Sequence, residues 1–576
     1  MIYRKEHPKP QFKRENWQNL NGEWQFEYDF GVSGMSRGLY KNEAEYSMKI
    51  HVPFCPESKL SGIENVDFLN AVWYRREIFV TEEQLKGRVI LHFGAVDYES
   101  TLFINEKEVG THKGGYISFS FDITDYLKDG VNTLCLYAKD DNRDSLIPCG
   151  KQSRKYESHG CDYTRTTGIW QTVWLEFVPK SYILKAKYTP DLEACALDIE
   201  AQVKGEGILK AEAFYQGKAM GSAEIKACGL ARLHLELSEL HLWELGNGRL
   251  YDLVLTFEED RVESYFGMRS VRIDGYKFLL NGKSVFQRLI LDQGFYPDGI
   301  YTAPSDEALQ NDIELSLAMG FNGARLHEKI FEERFLYHCD KKGYMVWGEY
   351  PNWGLDHSLP ASLCAFLPEW LEELERDYNH PAIIGWCPFN ETWDIKGHPQ
   401  YDDVLKNAYL ATKAVDPTRP CIDTSGNFHV MTDIYDVHDY EQDPAIFRSY
   451  YDTLPVDGTF EDTVCTMPRR IARYKDRQKY TPGLPVFMSE YGGIAWSTDE
   501  SGWGYGNAPK SEEEFLSRLE GLTDALLENP CIMGLCYTQL TNVEQEQNGL
   551  YTYDRKPKFD PAIISKIFKK KAAIED

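Results

Sequence analysis

Along the first part of the chain, apolar residues recur at every second position in short runs separated by turn residues. RVILHFGAVDYESTLFINEKEVG (residues 88–110) alternates in this way, and Asn105, Glu106 and Lys107 supply a turn between runs. Period-two alternation bounded by turn residues belongs to antiparallel strands with one buried face. It predicts a β-sandwich over residues 1–179. A second β-rich stretch, residues 180–272, carries strands such as LYDLVLTF (250–257) and has the length of an immunoglobulin-like β-sandwich.

From residue 273 to 576 the rhythm becomes strand, loop, helix. A helix is predicted after Ser305, an N-cap followed by Asp306 and Glu307. Its apolar residues Leu309, Ile313 and Leu317 recur every fourth position and Gly320 marks its end. A second helix is predicted over 512–528. Eight strand candidates punctuate this part: FQRLILD (286–292), GARLH (323–327), YMVWGE (344–349), AIIGWCPFNE (382–391), CIDTSG (421–426), YDVHDY (435–440), PVFMSEY (485–491) and IMGLCYTQL (532–540). That number in roughly 300 residues predicts a C-terminal (β/α)8 barrel, the TIM barrel. Helical pattern is poor over 426–435 and 440–485, where long loops are expected.

Composition narrows the picture. At roughly 100–200 residues per domain, 576 residues fit about three domains. A net charge of −27 argues against nucleic acid or anionic membranes as partners. The basic run at Lys566 to Lys571 reads as a helix ending in cations. The 13 cysteines are scattered without a Cys-x-x-Cys pair, so neither a zinc site nor a disulfide framework is expected. Such unpaired thiols suit a reducing compartment. The first residues lack the apolar core of a signal peptide, and no run of about 18 apolar residues occurs. A cytoplasmic protein is expected.

In a (β/α)8 barrel the active site lies at the C-terminal ends of the strands. The polar residues there are Asp292, His327, Glu349, Asn390, Glu391, His438, Asp439 and Glu490. Two of them follow apolar strands directly, in AIIGWCPFNE and PVFMSE. Cleaving a glycosidic bond needs one carboxyl to protonate the leaving oxygen and another to meet the developing cation. Glutamates ending the fourth and seventh strands can face each other across the barrel mouth. Taken by position alone, each reads more readily as a solvated cap and His327 as a core or loop histidine, while Asn390 is also readable as a turn residue.

The surrounding strings resolve the choice. RDYNHPAIIGWCPFNETW (376–393) resembles the acid/base signature of glycoside hydrolase family 2, the β-galactosidase and β-glucuronidase family, and LPVFMSEYGG (484–493) resembles its nucleophile segment. ENWQNLNGEWQF (15–26), VWYRR (72–76), THKGGYISFSFDIT (111–124) and DYTRTTGIWQTVWLE (162–176) resemble its N-terminal jelly-roll sugar-binding sandwich. YFGMRSVRIDGYKFLLNG (265–282) resembles the crossing into its barrel.

The resemblance implies that Glu391 is the general acid/base and Glu490 the nucleophile of a retaining exo-β-glycosidase. It places Asn390 on the sugar 2-hydroxyl, Asp162 on sugar hydroxyls and His327 beside the sugar, with Arg325 kept in the barrel as a partner for carboxylates. Asp292, with Gln293, is expected to contact hydroxyls. His438, Tyr491 and Tyr537 complete the expected substrate contacts. The magnesium-binding pattern of the family's large β-galactosidases is missing from GEYPNWG (348–354), so no metal and no cofactor are expected. Family β-glucuronidases read the sugar carboxylate with an Asn-x-Lys element. The matching stretch here, NVEQEQNGLYTYDRKPK (542–558), carries Glu544 and Glu546, which would repel a uronate unless Lys510 or Arg555 reached in. The expected substrate is therefore a small oligosaccharide or glycoside with a neutral terminal sugar, most simply a β-galactoside. The alternatives are a β-glucuronidase, a β-mannosidase, an α-L-arabinopyranosidase or an inactive sugar-binding protein. A homo-oligomer is expected from the family.

Overall fold

The computed structural model describes residues 2–392, 399–426, 428–457, 477–497 and 502–575. Near the N-terminus, a four-stranded antiparallel sheet (Trp17–Asn19, Val173–Val178, Arg88–Phe93, Phe119–Asp122) faces a six-stranded one whose centre is Ala71–Val80 and Gly130–Lys139. The inward positions of both sheets, among them Trp24, Phe26, Tyr74, Leu91, Leu136 and Leu175, form one buried cluster. Asn105 and Glu106 adopt positive φ in the predicted turn.

The next sheet has five strands, including two of 20 and 19 residues, Ala196–Tyr215 and Lys218–Glu236. Their register shifts between Gln202 and Glu206, where the sheet curls over its own apolar face (Ile183, Leu197, Leu253, Leu255). Irregular register of this kind is how long strands bend from one layer into another.

The barrel strands pair in parallel in the order Ile383–Cys387, Met345–Glu349, Gly323–Leu326, Gln287–Asp292, Ile532–Thr538, Val486–Gly492, Tyr435–Asp439. These match seven of the eight candidates. The other, 421–426, makes only isolated bridges, Trp386 with Cys421 and Asn390 with Ser425. Ser305 caps the helix Asp306–Ala318 through its hydroxyl, as Ser511 caps Glu512–Leu527. The expected long loop 440–485 contains a helix, Pro444–Tyr451, started by the Asp443 side chain. Residues 458–476 of that loop and 498–501 of the loop 493–510 lie outside the described residues, as does Trp393 of the acid/base string. The described cysteines are free, and no described helix is long and apolar enough to cross a membrane.

The N-terminal sandwich reaches over the barrel mouth through the segment around 149–164. Cys149 and Gly150 donate backbone hydrogen bonds to Trp353 and Pro351 carbonyls. Gln545 Nε2 donates to the Gly160 and Asp162 carbonyls at 2.7 and 3.0 Å, and Tyr163 donates its hydroxyl to Glu546 at 2.5 Å.

Candidate active site

The fourth barrel strand ends at Cys387, and the chain then leaves the sheet so that Asn390 and Glu391 stand over the mouth. Asn352 pins this turn, its Oδ1 accepting from Asn390 N at 2.6 Å and its Nδ2 donating to Asn390 O at 3.0 Å. Glu391 adopts positive φ, and its amide donates to Ser425 O at 2.8 Å. Opposite, Glu490 lies within the strand Val486–Gly492. Oxygen atoms of the two glutamates and a nitrogen of His438 all lie within 4.8 Å of one another. Each of these groups is already engaged in hydrogen bonds with its neighbours, so the trio reads as a proton-handling cluster.

Arg325 sits at the bottom of the site, 2% exposed. Its guanidinium donates to Glu349 (2.5 and 3.2 Å), to Glu490 Oε1 (3.1 Å), to Ser489 O (2.8 Å) and to Asn390 Oδ1 (3.1 Å). One fork thus fixes three side chains. It leaves Asn390 Nδ2 buried without an acceptor among the described residues. Buried donors are almost always satisfied, so this one is reserved for something that enters the site. The Tyr440 hydroxyl donates to Glu490 Oε2 at 2.5 Å and its ring stacks on Tyr505. Burial keeps this phenol protonated, and so a donor.

His327 places Nδ1 3.1 Å from Glu349 and Nε2 3.9 Å from Glu490. Burial, with Lys151 nearby, holds its pKa well below the ordinary value, so the ring is neutral. His438 puts Nδ1 2.9 Å from Glu391 Oε1 and 3.5 Å from Glu490. Burial opposes its charge, but Glu490 and Glu391 outweigh that and its pKa is raised. Burial pushes the Glu391 carboxyl up, yet the hydrogen bond and charge of His438, then Lys151 and Arg325, bring it below the usual range. Asp162 approaches His159 at 3.7 Å, and burial raises its carboxyl above the ordinary value against the opposing pull of Lys151.

Three expected sugar contacts face the wrong way. On Gln287–Asp292, Gln287 turns into the barrel to accept from Trp347, so period two sends Asp292 outward. There it accepts from Gly294 N and interacts with Asp312 of the helical layer, and burial with Asp312 lifts its carboxyl to about 7. Tyr491 follows Glu490 directly and so points to the opposite side, where its hydroxyl bonds Thr523 of Glu512–Leu527 at 2.8 Å. Tyr537 packs its ring against Tyr491 and Phe568, also in the outer layer.

The acidic stretch is also arranged differently from the expectation. Glu544 turns back to accept from Thr164 N at 3.1 Å. Glu546 is buried, with its oxygens occupied by the Tyr163 hydroxyl and by Asn548 Nδ2 (3.0 Å), and burial raises its carboxyl. Neither proposed cation reaches in. Lys510 is exposed, and Arg555 is committed to Asp312 and the Phe295 carbonyl. The cation that does stand at the site is Lys151, from the N-terminal sandwich, which the sequence reading missed. It is 5% exposed, and its Nζ lies 3.7 Å over the Trp353 ring and makes no hydrogen bond or ion pair with any described residue. Burial alone would lower its pKa, but Cys161, Glu546, Glu328 and Glu391 raise it, so it stays charged. Only its place in an N-terminal loop threaded onto the mouth marks it, and no local motif does.

Comparison with known proteins agrees with this architecture. The pattern described as "Glycosyl hydrolases family 2, sugar binding domain" matches residues 17–179, and "Glycosyl hydrolases family 2, TIM barrel domain" matches 271–502. The chain is 22% identical to a β-glucuronidase of Streptococcus agalactiae over 95% of both proteins. It is 26% identical to a putative β-glucuronidase of Formosa agariphila, covering 73% of this chain but only half of that protein. It is 27% identical to a β-galactosidase of Thermoanaerobacter pseudethanolicus, covering 62% of this chain and 48% of that one. A β-glucuronidase from Ruminococcus gnavus, solved with D-glucuronic acid, superposes with a TM-score of 0.78 over 99% of this chain and all of the other, at 19% identity. Family patterns thus match the N-terminal sandwich and most of the barrel, in the right order, and this chain belongs to glycoside hydrolase family 2.

Proposed function

We propose that the protein is an exo-acting retaining β-glycosidase whose terminal sugar is a β-glucuronide, read by Lys151. The observation that carries the sugar assignment is Lys151: a buried ammonium beside the paired glutamates, without an acceptor of its own among the described residues. A buried ammonium without a hydrogen-bond acceptor is costly, and a sugar carboxylate would supply the acceptor. The β-glucuronidases among the relatives, one aligned over nearly the full length, support the same choice over the β-galactoside expected from the sequence. The bonds already made by Glu544 and Glu546 remove the main argument against a uronate.

Double displacement is supported by the separation of the carboxylates. Oxygens within 4.8 Å suit direct attack, whereas an inverting pair stands about 6.5–9.5 Å apart to admit water. In the first step Glu490 attacks the anomeric carbon while Glu391 protonates the departing oxygen. In the second, Glu391 takes a proton from water, which attacks the same carbon and releases the sugar with its configuration kept. Arg325 and Tyr440 hold the two oxygens of Glu490 in place. Asn390 Nδ2 donates to the 2-hydroxyl, a bond that strengthens in the transition state. The sandwich segment over the mouth turns the site into a pocket that accepts a chain end.

A neutral sugar is the second reading, favoured by Glu546, whose carboxylate could accept from a pyranose hydroxyl. Release of 4-nitrophenol from the β-glucuronide, β-galactoside, β-mannoside and α-L-arabinopyranoside distinguishes them. A galactoside preference would refute the uronate assignment and leave the glycosidase assignment standing.

A further inference from the structure

His438 is not free to turn. Its Nε2 lies 2.8 Å from Ser425 Oγ, which lies 2.6 Å from Asp436 Oδ2. Asp436 also accepts from the Ser489 hydroxyl and from Gly426 N at 3.1 Å. His429 stands 3.1 Å from Asp436 and is itself held by Asp423 at 2.8 Å. Burial opposes the charge on both groups, but the mutual contacts prevail. The Asp436 carboxyl lies below its ordinary value and His429 is lifted to about 10.

The proton positions follow from this chain of contacts. A carboxylate only accepts, so the Ser425 hydroxyl gives its single proton to Asp436 and must accept from His438. Nε2 therefore carries a hydrogen permanently, and Nδ1 is the nitrogen that exchanges a proton with Glu391, 2.9 Å away. This also answers a difficulty. A general acid needs its proton, yet Glu391 lies below the usual carboxyl range.

We infer that Glu391 and His438 work as one acid/base unit holding a shared proton, with Ser425 and Asp436 as positioning residues that fix the histidine tautomer. The inference rests on the assignment of Glu391 as acid/base. As the bond from the anomeric carbon to the leaving oxygen breaks, the one shared proton passes from Nδ1 through Glu391 to that oxygen, leaving His438 neutral and Glu391 a carboxylate ready to act as base. When water attacks the glycosyl-enzyme, Glu391 receives the water proton and the pair regains the one it lent. No proton is gained or lost over the cycle. Among the described residues, the charged and titratable groups that interact with the pair are Glu490, Arg325, Glu349, His327, Asp436, Glu328, Lys151, Cys161, Tyr440 and Tyr505.

The test compares a leaving group that needs protonation, 4-methylumbelliferone, with one that does not, 2,4-dinitrophenol, on the best sugar. In Ser425→Ala and Asp436→Asn, kcat/KM on the first should fall by about tenfold or more while the second changes by less than about threefold. The alkaline limb of the kcat/KM profile should move to lower pH by about one unit. His438→Gln should show the same pattern more strongly. The ratio of two substrates is independent of how much variant is folded. Equal losses on both leaving groups with an unmoved alkaline limb would overturn the shared proton. The underlying assignment is tested separately: Glu391→Ala should lose kcat/KM on the protonation-dependent substrate, while the dinitrophenyl one should still release a burst of phenol as the glycosyl-enzyme forms and then turn over slowly for want of the base. Should it turn over both at the wild-type rate, the acid/base assignment itself is wrong.

Discussion

Replacing Lys151 by methionine keeps most of the stem volume and removes the charge. Lys151 is 5% exposed, and its ammonium stands over the Trp353 ring without a hydrogen-bond acceptor among the described residues. If a sugar carboxylate is its partner, deleting it leaves that carboxylate buried and unpaired in the bound state. Removing one member of such a desolvated pair costs about 2–5 kcal/mol. At roughly 1.4 kcal/mol per factor of ten, kcat/KM on a β-glucuronide should fall about 30- to 4000-fold. Two side effects act on every substrate alike. The contact over Trp353 is lost, about 1 kcal/mol at most, and Glu391 loses one of the cations that lower its carboxyl. The informative quantity is therefore the ratio of kcat/KM for the 4-nitrophenyl glucuronide and galactoside, measured in wild type and Lys151→Met. The ratio should collapse by at least about tenfold. A ratio that stays within about threefold while both activities fall would mean that Lys151 serves the protein's own carboxylates, and the uronate argument would fail.

Other consequences are as direct. Asn390→Ala should lower kcat by about a hundredfold or more, and substrates lacking the 2-hydroxyl should lose nothing further; full sensitivity to that hydroxyl in the variant would contradict the role given to Nδ2. Tyr491→Phe removes a buried hydrogen bond to Thr523 and should cost about 1 kcal/mol in unfolding while leaving kcat/KM within about twofold, whereas a large kinetic effect would restore Tyr491 to the sugar site. Glu57, buried in the N-terminal sandwich, has its carboxyl lifted to about 7, chiefly by desolvation. A raised carboxyl opposes folding once the unfolded chain ionises, so stability should fall as pH rises from about 4.5 to about 7. Glu57→Gln should remove on the order of 3 kcal/mol of that fall, seen as a smaller drop in Tm between pH 5 and pH 8; parallel curves would reject the buried charge.

The fold was legible because its strands are short, apolar and bounded by turn residues, and because capped helices such as Asp306–Ala318 follow them. The fifth barrel position was harder to read. CIDTSG reads as a strand, but its polar side chains bond to Asp436, His438 and His429, and only isolated bridges form. Glu391 and Glu490 could be picked out as strand-end carboxylates. Their neighbours could be sorted only by parity, which is why Asp292, Tyr491 and Tyr537 went to the wrong face. Lys151 and Ser425 were out of reach altogether. Both lie in irregular segments, and their meaning comes from contacts between parts of the chain far apart in sequence.

The most direct test of the account is to incubate the enzyme with the 2-deoxy-2-fluoro glycosyl fluorides of β-D-glucuronic acid and β-D-galactose and map the labelled peptide by mass. The fluorine slows both steps and the good leaving group spares the first, so a covalent intermediate should accumulate. The account predicts one sugar per chain, attached to Glu490, from whichever fluoride matches the substrate turned over. Turnover of the unmodified substrate without any adduct, or an adduct on a residue other than Glu490, would contradict it.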